Sequence, residues 1–90
     1  MDFNLKVQFP DTVFAQEVDG EMVLLDMASE NYFGLDAVAS DIWQLLQDGK
    51  TLQEVYDALL EMYDVSSDQL KNDLTAFVNK LLESKLASLV

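Results

Sequence analysis

Apolar and polar positions alternate in the first third of the chain and then change to a helical period. From Thr12 to Val18 the pattern is strand-like, with Phe14, Gln16 and Val18 on one face. Asp19-Gly20 follows, a two-residue signal between apolar runs and the strongest short-range hairpin mark in the sequence. Glu21 to Met27 supplies the partner strand, with Val23, Leu25 and Met27 on one face and Met22, Leu24 and Asp26 on the other. Apolar residues on both faces predict a central strand. A polar turn at residues 28–31 returns the chain into Tyr32-Phe33-Gly34-Leu35. Residues 12–35 are therefore expected to form a three-stranded antiparallel meander. Residues 1–11, around the only proline, Pro10, are expected to be loose or to add a short edge segment.

Three helical patterns fill residues 36–87. The first begins at Asp36, a suitable N-cap, and runs to Gln47, with Val38, Ile42, Leu45 and Leu46 on one stripe and Trp43 at its edge. Asp48-Gly49 ends it, because glycine adopts the left-handed C-terminal conformation at little cost. The second starts at Thr51, with Glu54 completing a capping box, and buries Leu52, Val55, Tyr56, Leu59, Leu60 and Tyr63. The third begins at Ser66 with Gln69 in the capping-box position and continues towards Leu86. Its apolar residues, Leu70, Leu74, Phe77, Val78, Leu81, Leu82 and Leu86, spread over about 180°, against the roughly 100° that one core contact requires. Such a helix either lies centrally and touches neighbours on two sides, or leaves part of its arc for a partner.

The strands followed by helices predict one α+β domain, a size that suits 90 residues. Half the residues are hydrophobic, which favours a folded core over disorder. The chain contains no Cys, His or Arg. Disulfides, thiolate chemistry, the commonest general base and metal ligand, and guanidinium clamps are thereby excluded. Isolated glycines form no phosphate-cradling loop, and the acids at Asp64, Asp68 and Asp73 do not match a calcium loop. Acid pairs such as Asp57/Glu61 and Glu61/Asp64 share a helix face, but this spacing arises by chance in so acidic a chain. Neither enzyme activity, metal nor cofactor is expected. The first ten residues lack a signal-peptide layout, and no apolar run is long enough to span a membrane, so a soluble cytoplasmic protein is expected.

Seventeen acids against five lysines give a net charge of −12. That balance opposes nucleic-acid binding, which relies on Lys and Arg at phosphates, and steers basic partners inward. Binding is the function left. The strand at 31–35 ends the meander and forms an edge, yet carries Tyr32 and Phe33 with none of the Lys or Pro that blunts edges. Gly34 permits close approach of another backbone. The segment reads either as plain core packing of Phe33 and Leu35 or as an edge held open for an incoming strand.

The segments VLLD (23–26), YFGLDAVASDIWQLL (32–46) and DGKTLQEV (48–55), followed by an amphipathic helix, resemble the PqqD-like family. These are the recognition elements of ribosomally made, modified peptides, and the likeness is greatest to the free-standing type of lasso-peptide biosynthesis. The resemblance implies a winged-helix-like arrangement of three strands and three helices. It implies that a precursor's leader peptide adds as a strand beside the third strand, against the third helix. Carried onto this chain, that site is Asn31, Tyr32 and Phe33 with the exposed side of Leu70, Asp73, Leu74 and Phe77. The implied function is to hold a leader, basic and with a Tyr…Pro…Leu pattern, and to present it to a leader protease or other modifying enzyme. A winged-helix nucleic-acid binder and a fixed structural subunit are the competing readings.

Overall fold

A computed structural model describes residues 2–90. Strand β1 (Val7–Gln8) is followed by β2 (Val13–Val18) and β3 (Glu21–Asp26), which Asp19-Gly20 joins with both residues at positive φ, 52° and 83°. This is the hairpin geometry whose twist matches its strands. The last strand of the meander, β4 (Tyr32–Leu35), pairs antiparallel with β3, so the order is β2-β3-β4, with β3 central as its two-sided pattern predicted.

Asp26 builds the turn that feeds β4. Its carboxylate accepts from the Ala28 N–H (3.0 Å) and the Ser29 hydroxyl (2.8 Å), while the Glu30 N–H bonds to the Asp26 carbonyl (2.8 Å). The Ser29 hydroxyl, then that of Thr12, favours the charged form and holds this carboxyl below the usual range despite its burial. Glu54 is lowered in the same way, by the Thr51 N–H it accepts. Lowered folded-state values stabilise above the unfolded carboxylate value and lose that effect as pH falls through the folded one. Thermal melts should therefore drop as pH falls below about 4. Asp26→Asn should flatten part of that acid dependence, and an unchanged acid limb would show that the turn is held by other groups.

Helix α1 (Ala37–Gln47) is capped by Asp36, whose carboxylate accepts from the Ala39 N–H at 2.8 Å. The capping box of Thr51 and Glu54 opens α2 (Leu52–Met62), and the Ser66 hydroxyl opens α3 (Ser67–Glu83) by accepting from the Gln69 N–H. Contrary to the expected run towards Leu86, α3 stops at Glu83. Lys85 turns left-handed (φ 60°), and the Leu86 N–H bonds back to the Leu81 carbonyl at 3.0 Å. This six-to-one closure folds Leu86 into the core instead of extending the helix.

The chain then forms β5 (Ser88–Leu89), antiparallel to β1 in a separate two-stranded ribbon. The N-terminal segment is accordingly tied to the C-terminus and does not join the meander. Its carbonyls also serve α2: Leu5 accepts from the Leu52 N–H (2.9 Å) and Phe3 from the Gln53 N–H (2.8 Å), two donors that a helix start leaves orphaned. Phe9 covers Trp43 edge-on, with ring centroids 4.3 Å apart. Trp43, expected at the edge of its stripe, is therefore fully buried, because a segment remote in sequence closes over it.

The inner sheet face (Val13, Leu24, Leu35) packs on Ile42, Trp43, Leu46, Leu52, Val55, Leu59, Leu70, Leu74, Val78 and Leu81 as one core. The breadth of the α3 arc is mostly spent there. No helix among the described residues is long and apolar enough to cross a membrane.

Candidate peptide-binding groove

Backbone geometry decides what β4 offers. The Asp26 N–H bonds to the Asn31 carbonyl at 2.9 Å, and the register continues Leu25 with Tyr32, Leu24 with Phe33, Val23 with Gly34 and Met22 with Leu35. Bonded and non-bonded pairs alternate along an antiparallel ladder. Phe33 and Leu35 thus spend their backbone groups on β3, as does the Asn31 carbonyl, while the Asn31 N–H donates to the Ser29 hydroxyl oxygen at 3.3 Å. Tyr32 and Gly34 turn their N–H and C=O to the open edge.

Beside that edge lies a groove of ≈ 360 Å³. One wall is Phe33 and Gly34, the floor is Val38, Ala39 and Ile42 of α1, and the far wall is Asp73, Ala76, Phe77 and Lys80 of α3. The Phe33 and Phe77 rings meet edge-on at 6.0 Å and close the groove against the core. The α3 residues are spaced i, i+3, i+4 and i+7, a single helical face. Asp73 and Lys80 are exposed and stand one turn to either side of Phe77, so the far wall carries opposite charges about an apolar centre. Asp36 also borders the groove, with an oxygen engaged in the α1 cap.

Of the residues expected here, Phe33, Asp73 and Phe77 line the groove. Leu70 and Leu74 do not: they are 2% and 0% exposed and belong to the core. The reason is their phase on α3, about a quarter-turn or more from the Asp73–Ala76–Lys80 face towards the sheet and the other helices. Asn31 and Tyr32 are exposed, but Tyr32 directs its side chain to the outer sheet face, in the row with Leu25 and Phe14. What Tyr32 brings to the edge is its backbone. Val38, Ala39, Ile42, Ala76 and Lys80 line the groove without having been foreseen. The i, i+3, i+7 spacing from Asp73 was a readable signal for Ala76 and Lys80. For the α1 floor there was none, since it depends on how α1 crosses β4.

Comparison with known proteins agrees with this architecture. The family profile described as coenzyme PQQ synthesis protein D (PqqD) matches residues 21–87. A solved structure of TbiB1 in complex with the TbiA(beta) leader peptide is 38% identical, with a TM-score of 0.81 over 90% of this chain and 94% of that one. A lasso peptide synthetase B1 complexed with the leader peptide is 30% identical, with a TM-score of 0.82 over 92% of this chain and 98% of that one. No curated protein matches the chain. The profile spans most of the sequence, from the start of β3 to just beyond α3, and on that ground the chain belongs to the PqqD family.

Proposed function

We propose that this protein captures the leader segment of a ribosomally made precursor peptide as a fourth strand on β4, in the cytoplasm, and presents it to a leader protease or other modifying enzyme. The observation that carries this reading is the unblunted edge, where Tyr32 and Gly34 offer backbone groups beside an apolar groove. Main-chain bonds supply affinity in such additions, and pockets for alternate side chains supply selectivity. Two relatives of the same fold, at 38% and 30% identity, are described as complexes with leader peptides, which supports the assignment. The chain acts as a binding module and not as a catalyst. Its net charge of −12 favours a basic leader and opposes nucleic acid.

The deciding experiment titrates the chain with a synthetic basic leader of the lasso-precursor type, carrying the Tyr…Pro…Leu pattern, and separately with the core peptide of the same precursor. The leader should bind with nanomolar to micromolar Kd, about −8 to −12 kcal/mol, and the core peptide should not. Raising salt should slow association and leave dissociation nearly constant, because the acidic surface steers while apolar contacts hold. Equal affinity for the two fragments, or a salt effect carried mostly by the off-rate, would sink the reading.

A further inference from the structure

Nothing within the chain requires glycine at position 34. Its φ lies outside the left-handed region, and a Cβ built there meets no atom within 4 Å. Glycine weakens a strand interior, whereas threonine or valine suits one. The advantage of a bare Cα must then lie in something that comes from outside.

The register shows what is left open. Gln16, Val23 and Gly34 form one row across the outer sheet face, opposite the face that packs on the helices. Val23 is only half-buried, so the missing side chain leaves a notch flanked on its β3 side by an apolar side chain. Tyr32 stands two residues away on the same face, 76% exposed, and its ring stays clear of the vacant position.

We infer that this notch is a second side-chain subsite, in which a large apolar residue of the added strand, best an aromatic one, lies across Gly34 against Val23. The inference rests on the strand-addition reading above and deepens it. Strands stand about 4.8 Å apart, so the residue beside Gly34 has its Cα roughly 10 Å from that of Val23. An aromatic ring crosses that gap, as aromatic residues do beside glycines in designed sheets, and a short side chain does not. Successive residues of a strand point to opposite faces. One leader residue therefore enters the groove at Phe33 and Phe77, and the next in sequence covers Gly34. A leader read this way carries large apolar side chains at consecutive positions, which a single groove would not demand.

The test pairs Gly34→Thr with an alanine scan of the same synthetic leader. The variant should fold at least as well as the parent by circular dichroism and thermal melt, since the new side chain meets open space. Binding of the intact leader should weaken by about threefold to tenfold, the range of one aromatic cross-strand contact. The leader with alanine at the notch position should bind both proteins alike, while alanine at groove positions should weaken both equally. If Gly34→Thr binds the intact leader as tightly as the parent does, or if every scanned peptide loses the same factor, the subsite is refuted. Binding of the leader to the parent protein would still stand in that case, so the two readings fail separately.

Discussion

Tyr32→Pro should fold and lose the leader, while Phe33→Pro should lose stability first. The two positions are adjacent, yet their N–H groups point in opposite directions. The Tyr32 N–H faces the open edge and the Phe33 N–H bonds to β3, as the Asp26–Asn31 bond and the register together dictate. Proline supplies no donor and is tolerated on an edge only where its nitrogen faces outward. At position 32 it removes a bond from the incoming strand, and binding should weaken by at least about tenfold, or about 1.4 kcal/mol. At position 33 it breaks a ladder bond, costing about 1–3 kcal/mol, and also removes the ring that packs on Phe77. Melting curves and leader titrations of both variants separate these outcomes. If both fold and both bind normally, the edge is not the docking site and the groove acts without it.

A second dissociation is expected along α3. Leu74 is fully buried, so Leu74→Ala should cost about 2–5 kcal/mol of stability by leaving a cavity. In a domain of this size each kcal/mol lowers Tm by about 4–8 °C. The fraction that remains folded should still bind leader with near-parental affinity. Ala76 is exposed on the groove wall, so Ala76→Leu should leave the melt unchanged and fill space the peptide needs. A loss of affinity of about tenfold is expected, since an added group of this size must be displaced or avoided by the ligand. Normal leader binding by Ala76→Leu would remove α3 from the site, and a stable Leu74→Ala would contradict its place in the core.

The local elements of this protein were legible because their signals are local. Asp19-Gly20 forces a tight hairpin, Asp36, Thr51 and Ser66 each satisfy a helix start, and the period changes where the sheet gives way to helices. The order of the three meander strands and the three helices, the central place of β3 and the exposed edge of β4 followed from these residues alone. Tertiary structure decided whatever depends on contacts between remote segments. Trp43 is buried because Phe9 closes over it, and α3 ends early because Leu86 finds the core and β5 finds β1. The broad apolar arc of α3 could not say which residues face the core, since hydrophobicity marks burial but not the neighbour that provides it. Leu70 and Leu74 went inward, and the groove took Asp73, Ala76, Phe77 and Lys80. Strand alternation told the sequence that Tyr32 and Phe33 differ. Only the register with β3 told which of the two backbones is free, because a one-residue slip exchanges the two faces without altering the pattern.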